Sequence, residues 1–261
     1  VGFNTTDNPV IELKMKQAAE AGAKVVLVNP EDYVQHIDFL NKAVYTKNDL
    51  SFLKEVAKAV VDSGRGAGVD GYEEFAASVK DVTVSDDAKA VADMYLEAKK
   101  AMIVFNQNLI TTEAASLLAD IALVSGHIGT PRDGILQVKA KNNSQGLVDL
   151  GITAGAEELE GVKALVVFGE EADIDTDALE FLAVSDTHMT ALAAKADVVI
   201  PGTGFESTDG TYTNTERRLQ LVQAAIEEDV ELANWEIAAE IAHVFEVDYE
   251  WENTEDISVA I

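Results

Sequence analysis

The residues with chemical potential in this chain sit where short apolar runs give way to small and polar side chains. Four such places stand out: Gly2-Phe3-Asn4, Asn29-Pro30-Glu31, Gly169-Glu170-Glu171 and Ser185-Asp186-Thr187. Glycine lets a ligand approach the backbone, and a carboxylate accepts hydrogen bonds from a ribose or a guanine edge. The architectural alternative is equally simple. Asp49 and Asp186 would cap helices, and Gly2 and Gly169 would turn the chain. A further cluster, Asn214, Glu216, Arg217 and Arg218, is charged and capable of bidentate contacts. It suits either the fixing of a loop or the holding of an anionic group.

Other chemistries lack their residues. No G-x-G-x-x-G follows an apolar run and no G-x-x-x-x-G-K-[ST] occurs, which argues against an ordinary dinucleotide or P-loop site. Serine hydrolase chemistry lacks G-x-S-x-G. His36, His127, His188 and His243 are scattered, with no H-E-x-x-H, so no metal set emerges. His188 alone stands at an expected strand end, two residues past Asp186. With 0 cysteines the chain offers no disulfide, thiol nucleophile or iron–sulfur ligand of its own. No residue is singled out as catalytic or metal-ligating.

The elements that must position these residues read as alternating helix and strand. Pro9 suits a first helical turn, Val10 to Ala21 has helical spacing with Ile11 and Met15 on one face, and Gly22 closes it. Lys24–Val28 is a short β-branched strand, so Val1 to Val28 reads as strand end, turn, helix and strand. Asp49 is the expected N-cap of a helix over 50–62, followed by a glycine-rich loop over 63–71. A helix over 85–99, a buried strand over 101–105 and a helix over 111–125 capped by Thr111 or Thr112 come next. After a polar passage near residue 141, strands are expected at 164–168, 182–185 and 198–200, with a short helix over 190–195 and another around 234–245. The pattern predicts an α/β chain of two Rossmann-like, doubly wound lobes, residues 1–140 and 141–261.

The 261 residues carry 47 Asp+Glu against 19 Lys+Arg, a formal charge of −28. Such a body repels phosphate backbones, which argues against nucleic acid and anionic membranes as partners. No Lys or Arg follows Arg218, so the C-terminal segment is either a solvated acidic face or a docking face for a basic partner. A salt-adapted host would give the same composition. Apolar runs such as Ala101–Phe105 fall far short of the roughly 20 residues that span a bilayer. No signal peptide opens the chain, so a soluble, cytoplasmic protein is expected, associated with a membrane only through a complex.

One stretch carries a resemblance. Residues 196–220, ADVVIPGTGFESTDGTYTNTERRLQ, are similar to the signature of the molybdopterin oxidoreductase superfamily, which includes formate dehydrogenase α-subunits and the large iron–sulfur subunit of respiratory complex I. VGFNTTDNP, GAKVVLVNPE, LVSGHIGTPRDGI, KNNSQGLVDLG, LVVFGEEAD and VSDTHMTALAAKADVVIP resemble further family segments, in family order, across nearly all of residues 1–250. The resemblance implies two α/β domains cradling a molybdenum- or tungsten-bound molybdopterin guanine dinucleotide. Carried over, the cofactor-binding positions are Gly2, Asn4, Asp7, Asn29, Glu31, Asp49, Gly169, Glu170, Asp186 and Thr190.

The departures matter as much. Glu31 stands where the family pattern has arginine, Lys47 where it has glycine, and Asn106 and Asn108 where it has two glycines. Lys139 matches the catalytic-arginine position of formate dehydrogenases. The family's cysteine-rich region, metal-ligating residue and C-terminal barrel have no counterpart. The resemblance therefore implies the middle of a larger protein, inactive alone, whose partners are its remaining domains and other subunits of an electron-transfer complex. Two redox functions follow. In one, the pterin site is degenerate and the lobes are a scaffold in NADH-linked electron transfer. In the other, the parent is a catalytic formate dehydrogenase-type enzyme. A nucleotide- or anion-binding module is the non-redox alternative.

Overall fold

The computed structural model describes residues 1–35, 37–139, 141–153, 159–169, 174–227, 230–247 and 249–260. It divides into two compact units, Val1–Lys141 and Asn142–Ile261.

Unit 1 runs α1 (Pro9–Glu20), β1 (Val26–Pro30), β2 (Lys42–Thr46), α2 (Asp49–Asp62), α3 (Tyr72–Val79), α4 (Asp86–Glu97), β3 (Met102–Asn106), α5 (Thr112–Ser125) and β4 (Gly134–Val138). β1 pairs with β2 and β3 with β4, both in parallel. Residues 1–3 lack a strand ladder of their own but tie the two pairs together. The Gly2 amide donates to the Val28 carbonyl (2.9 Å) and the Val1 nitrogen to the Val104 carbonyl (2.7 Å).

Alternation along the strands sends side chains to opposite faces. Val28, Val44, Ile103 and Phe105 join one apolar cluster with Leu53, Val56 and Val60 of α2, Ala88 and Ala92 of α4, and Leu117, Leu118 and Ile121 of α5. Leu27 and Val138, with Phe3 from the opening segment, form another against Ile11 and Met15 of α1. Helices thus cover both faces, as parallel strands require.

The α2 cap differs from expectation. Asn48, not Asp49, is the N-cap, its Oδ1 accepting the Ser51 amide at 2.9 Å, while Asp49 is the first helical residue. Ser85 and Thr111 cap α4 and α5 through their hydroxyls, and Gly126 ends α5 at φ 79°.

Unit 2 contains α6 (Ser144–Asp149), β5 (Ala164–Phe168), β6 (Phe181–Asp186), β7 (Val198–Pro201), β8 (Gly210–Thr213), β9 (Leu219–Val222), α7 (Asn234–Val244) and α8 (Thr254–Ala260). β5, β6 and β7 form a parallel sheet in that order, and β8–β9 is an antiparallel hairpin. Val167, Leu182, Val184, Leu192 and Ala193 make the buried cluster. The helix expected over 190–195 is a 3-10 turn, Ala193–Lys195, preceded by the Thr190 hydroxyl accepting the Ala193 amide at 3.1 Å. Parallel strands between helices make the chain α/β. Among the described residues no helix is long and apolar enough to cross a membrane.

Candidate functional site

In unit 1 the C-terminal ends of β1 and β2 and the loop after β3 surround a cavity of about 310 Å³, lined by Pro30, Thr46, Lys47, Asp49 and residues 108–111. Asp49 lines it directly, with Oδ1 accepting the Leu50 amide at 2.8 Å. Lys47 Nζ lies 3.9 Å from Glu31 Oε2, and the Glu31 amide donates to the Thr46 carbonyl at 3.2 Å.

Gly2 adjoins the same loop. At φ 53° a Cβ there would come within 2.7 Å of Ile110 Cγ2, so the close passage of the two segments requires glycine. Asn29 is turned inward at 1% exposure: Oδ1 accepts the Phe3 amide, and Nδ2 donates to the carbonyls of Phe3 and Tyr33. Asn4 and Asp7 pair with each other in the turn before α1, Asn4 Nδ2 donating to Asp7 Oδ2 at 2.7 Å. Asn108 lines the cavity, its amide donating to Asn106 Oδ1 at 2.9 Å. At the end of β4, Lys139 Nζ donates to Gln137 Oε1 at 2.9 Å, and Gln137 Nε2 donates to Gln107 Oε1 at 3.2 Å.

In unit 2, Gly169 (φ 57°) follows β5 and donates its amide to the Ser185 carbonyl at 2.8 Å. Asp186 ends β6; its Oδ1 accepts the Thr187 amide at 2.7 Å, and its carbonyl accepts the Gly202 amide at 3.0 Å. Glu170 lies outside the described residues.

The Ser185 hydroxyl is buried at 1% exposure and has no hydrogen-bond partner. Gly202 packs tightly beside it, with no room for a side chain: a Cβ there would lie 2.9 Å from both Ser185 Oγ and Asn234 Oδ1. Asn234 holds that loop by accepting the Thr203 amide (3.0 Å) and donating to the Thr203 carbonyl (2.9 Å). A buried hydroxyl without a partner costs free energy unless something pairs with it. Ser185 was among the strand ends that the sequence singled out, in Ser185-Asp186-Thr187, whereas Gly202 and Asn234 were not, although a small residue directly after the strand-ending Pro201 was a usable signal. Thr46 and residues 109–111 carry no chemical motif and are brought to the cavity by topology alone.

The arginine cluster is tied into its own loop and to α6. Asn214 Oδ1 accepts the amides of Glu216 and Arg218, and Arg217 Nη2 reaches Asp149 Oδ1 of α6 at 2.8 Å. His188 is exposed, Nδ1 lying 2.8 Å from the Thr187 hydroxyl. Among the described residues no cluster of three or more His, Asp or Glu could hold a metal ion.

A family model described as molybdopterin oxidoreductase matches residues 2–244. The F420-dependent formate dehydrogenase subunit alpha of Methanocaldococcus jannaschii is 25% identical, over 93% of this chain and 46% of its own. Formate dehydrogenase H of Escherichia coli is 23% identical, over 98% of this chain and 46% of its own. The chain thus spans about half the length of these relatives. The structure of acetylene hydratase from Pelobacter acetylenicus superposes at a TM-score of 0.74 with 13% identity, covering 98% of this chain and 48% of that one. That last likeness is one of fold.

Proposed function

Because the chain belongs to the molybdopterin oxidoreductase family, we propose that it forms the pterin-cradling α/β region of a formate dehydrogenase-type oxidoreductase. The observation that carries this reading is what lies at the strand ends. The cavity in unit 1 has room for a polar group, and the Ser185 hydroxyl at the end of β6 in unit 2 is buried with no hydrogen-bond partner, which leaves it to pair with a ligand. Both features suit the dinucleotide tails of a pterin cofactor. Asp49 and Lys47 would hold one in unit 1, and Ser185 with Asp186 one in unit 2.

When bound, the pterin-held metal supplies two-electron oxidation of a small substrate. The chain's own residues bind and orient. Asp49, already accepting one amide, has further lone pairs for ribose or base donors. Lys139, held by Gln137, presents a cation at the end of β4 that would orient a carboxylate such as formate. Gln107 steadies Gln137 and so restricts where that cation points. The subunit designation of the Methanocaldococcus relative supports further subunits as partners.

A second reading is a scaffold with a degenerate pterin site. Glu31 favours it, because its carboxylate lies within ion-pair reach of the cavity's lysine and would repel a pyrophosphate. Asn106 and Asn108 favour it too, because their side chains occupy the end of β3 and the adjoining loop.

Formate-dependent reduction of a viologen dye by protein isolated from its host tests the proposal. Turnover that falls at least about tenfold in Lys139→Ala supports it, as expected for loss of a charged contact. Folded protein that carries no pterin and is silent toward formate and related small acids overturns the catalytic reading in favour of the scaffold.

A further inference from the structure

Glu31 and Lys47 directly follow the last cross-strand pair of the β1–β2 ladder, Pro30 with Thr46. Residues in register on a parallel ladder project to the same side, which brings the two charges together. Their 3.9 Å separation exceeds hydrogen-bond range, and both side chains face solvent, at 84% exposure for Lys47 and 51% for Glu31. Such a pair is held weakly. Lys47 lines the cavity and Glu31 does not, and Lys47 is the one cation among the described residues that do.

We infer that Lys47 is a switchable phosphate-binding residue, whose ammonium leaves Glu31 for a phosphate entering the cavity, and that Glu31 is the built-in competitor setting how tightly that phosphate is held. A phosphate or pyrophosphate carries more charge than one carboxylate and makes short charge-assisted hydrogen bonds, so it outcompetes Glu31. Lysine suits the exchange, because a point charge on a flexible stem accepts either partner without angular demand. Asp49, which also lines the cavity, disfavours a bare anion there. It favours a ligand joining phosphate to hydrogen-bond donors such as sugar hydroxyls. The inference rests on the pterin-dinucleotide reading for the ligand's identity and adds the competition with Glu31 that sets how Lys47 grips its phosphates.

The test is calorimetric titration of the protein with inorganic pyrophosphate, GDP and guanosine at low salt. Lys47→Ala is expected to weaken pyrophosphate and GDP about tenfold, the size of one hydrogen bond to a charged group. Lys47→Arg should retain most of the binding, Glu31→Gln should tighten it several-fold, and none of the three should move guanosine. Melting temperatures close to wild type would show that the exposed substitutions leave the fold intact. GDP affinity unchanged in Lys47→Ala, or weakened in Glu31→Gln, overturns the inference.

The two readings fail separately. Lys47-dependent binding of pyrophosphate without GDP supports the role of Lys47 and counts against the dinucleotide. GDP binding indifferent to Lys47 does the reverse. No binding of any probe overturns the role of Lys47 and leaves the pterin to be tested by metal and pterin analysis.

Discussion

Asp133, a half-buried polar residue away from the cavity, anchors the turn before β4. Its carboxylate accepts the Ala101 amide at 2.9 Å, lies 3.0 Å from His127 Nδ1 and receives the Thr130 hydroxyl at 3.3 Å. The Ala101 hydrogen bond first, with help from His127, holds the carboxyl below its ordinary value of 3.8 against the opposing effect of burial. A depressed folded-state pKa stabilises above the unfolded value and is lost as pH falls through the folded one. The wild type should therefore lose melting temperature steeply below about pH 4, and Asp133→Asn, already destabilised at neutral pH, should lose it less steeply. Parallel slopes in the two proteins would contradict this.

Asn29, spent on Phe3 and Tyr33, makes a similar case. Asn29→Ala strands the buried Phe3 amide and carbonyl, and should cost about 3 kcal/mol in urea unfolding. Ser185→Ala should behave oppositely. With no partner to lose, the unliganded protein should melt at or above the wild-type temperature, while stabilisation by bound GDP should shrink.

The hairpin β8–β9 and helix α6 are joined by Arg217 to Asp149 and by Asn143 Oδ1 accepting the Thr213 amide at 2.9 Å. Arg217→Ala should lower the melting temperature slightly without any ligand, since exposed ion pairs contribute roughly 0–1 kcal/mol. Arg217→Gly should be the milder change, because this residue sits at φ 60°, where glycine is unstrained. A variant that melts like wild type but loses guanine-nucleotide binding would overturn the architectural role.

Elements with strong local signals were legible in the sequence: α5 between Thr111 and Gly126, β5 as an unbroken apolar run, α7 from Asn234. Strand β2 was not, because Lys42–Thr46 owes its place to the ladder with β1 rather than to an apolar run of its own. Helix α3 begins from Gly71 in a left-handed conformation with no side-chain cap, so nothing local announces it after a run of glycines. At the site, strand ends were legible as places. What each side chain does there was not, because inward-facing Asn29 and cavity-facing Asp49 look alike until the fold orients them.

Across the whole molecule the charge of −28 sets the conditions under which everything else operates. Self-repulsion at this charge weakens the compact state and is screened by salt. The melting temperature should rise on going from about 0.01 M to about 1 M salt, as the Debye length shrinks from about 30 to 3 Å. A flat response would mean that the acidic side chains are already neutralised by their surroundings. The same field opposes entry of an anionic ligand, so the phosphate binding inferred at Lys47 would have to be won locally. The match over residues 2–244 establishes the family, and what the strand ends hold is the central claim. The measurement that tests it most directly is elemental analysis for molybdenum and tungsten on protein isolated from its host, with fluorescence of oxidised pterin released from the same sample. The pterin-cradling account predicts near-stoichiometric metal and pterin. Folded protein with neither would contradict it and leave the two units as a scaffold.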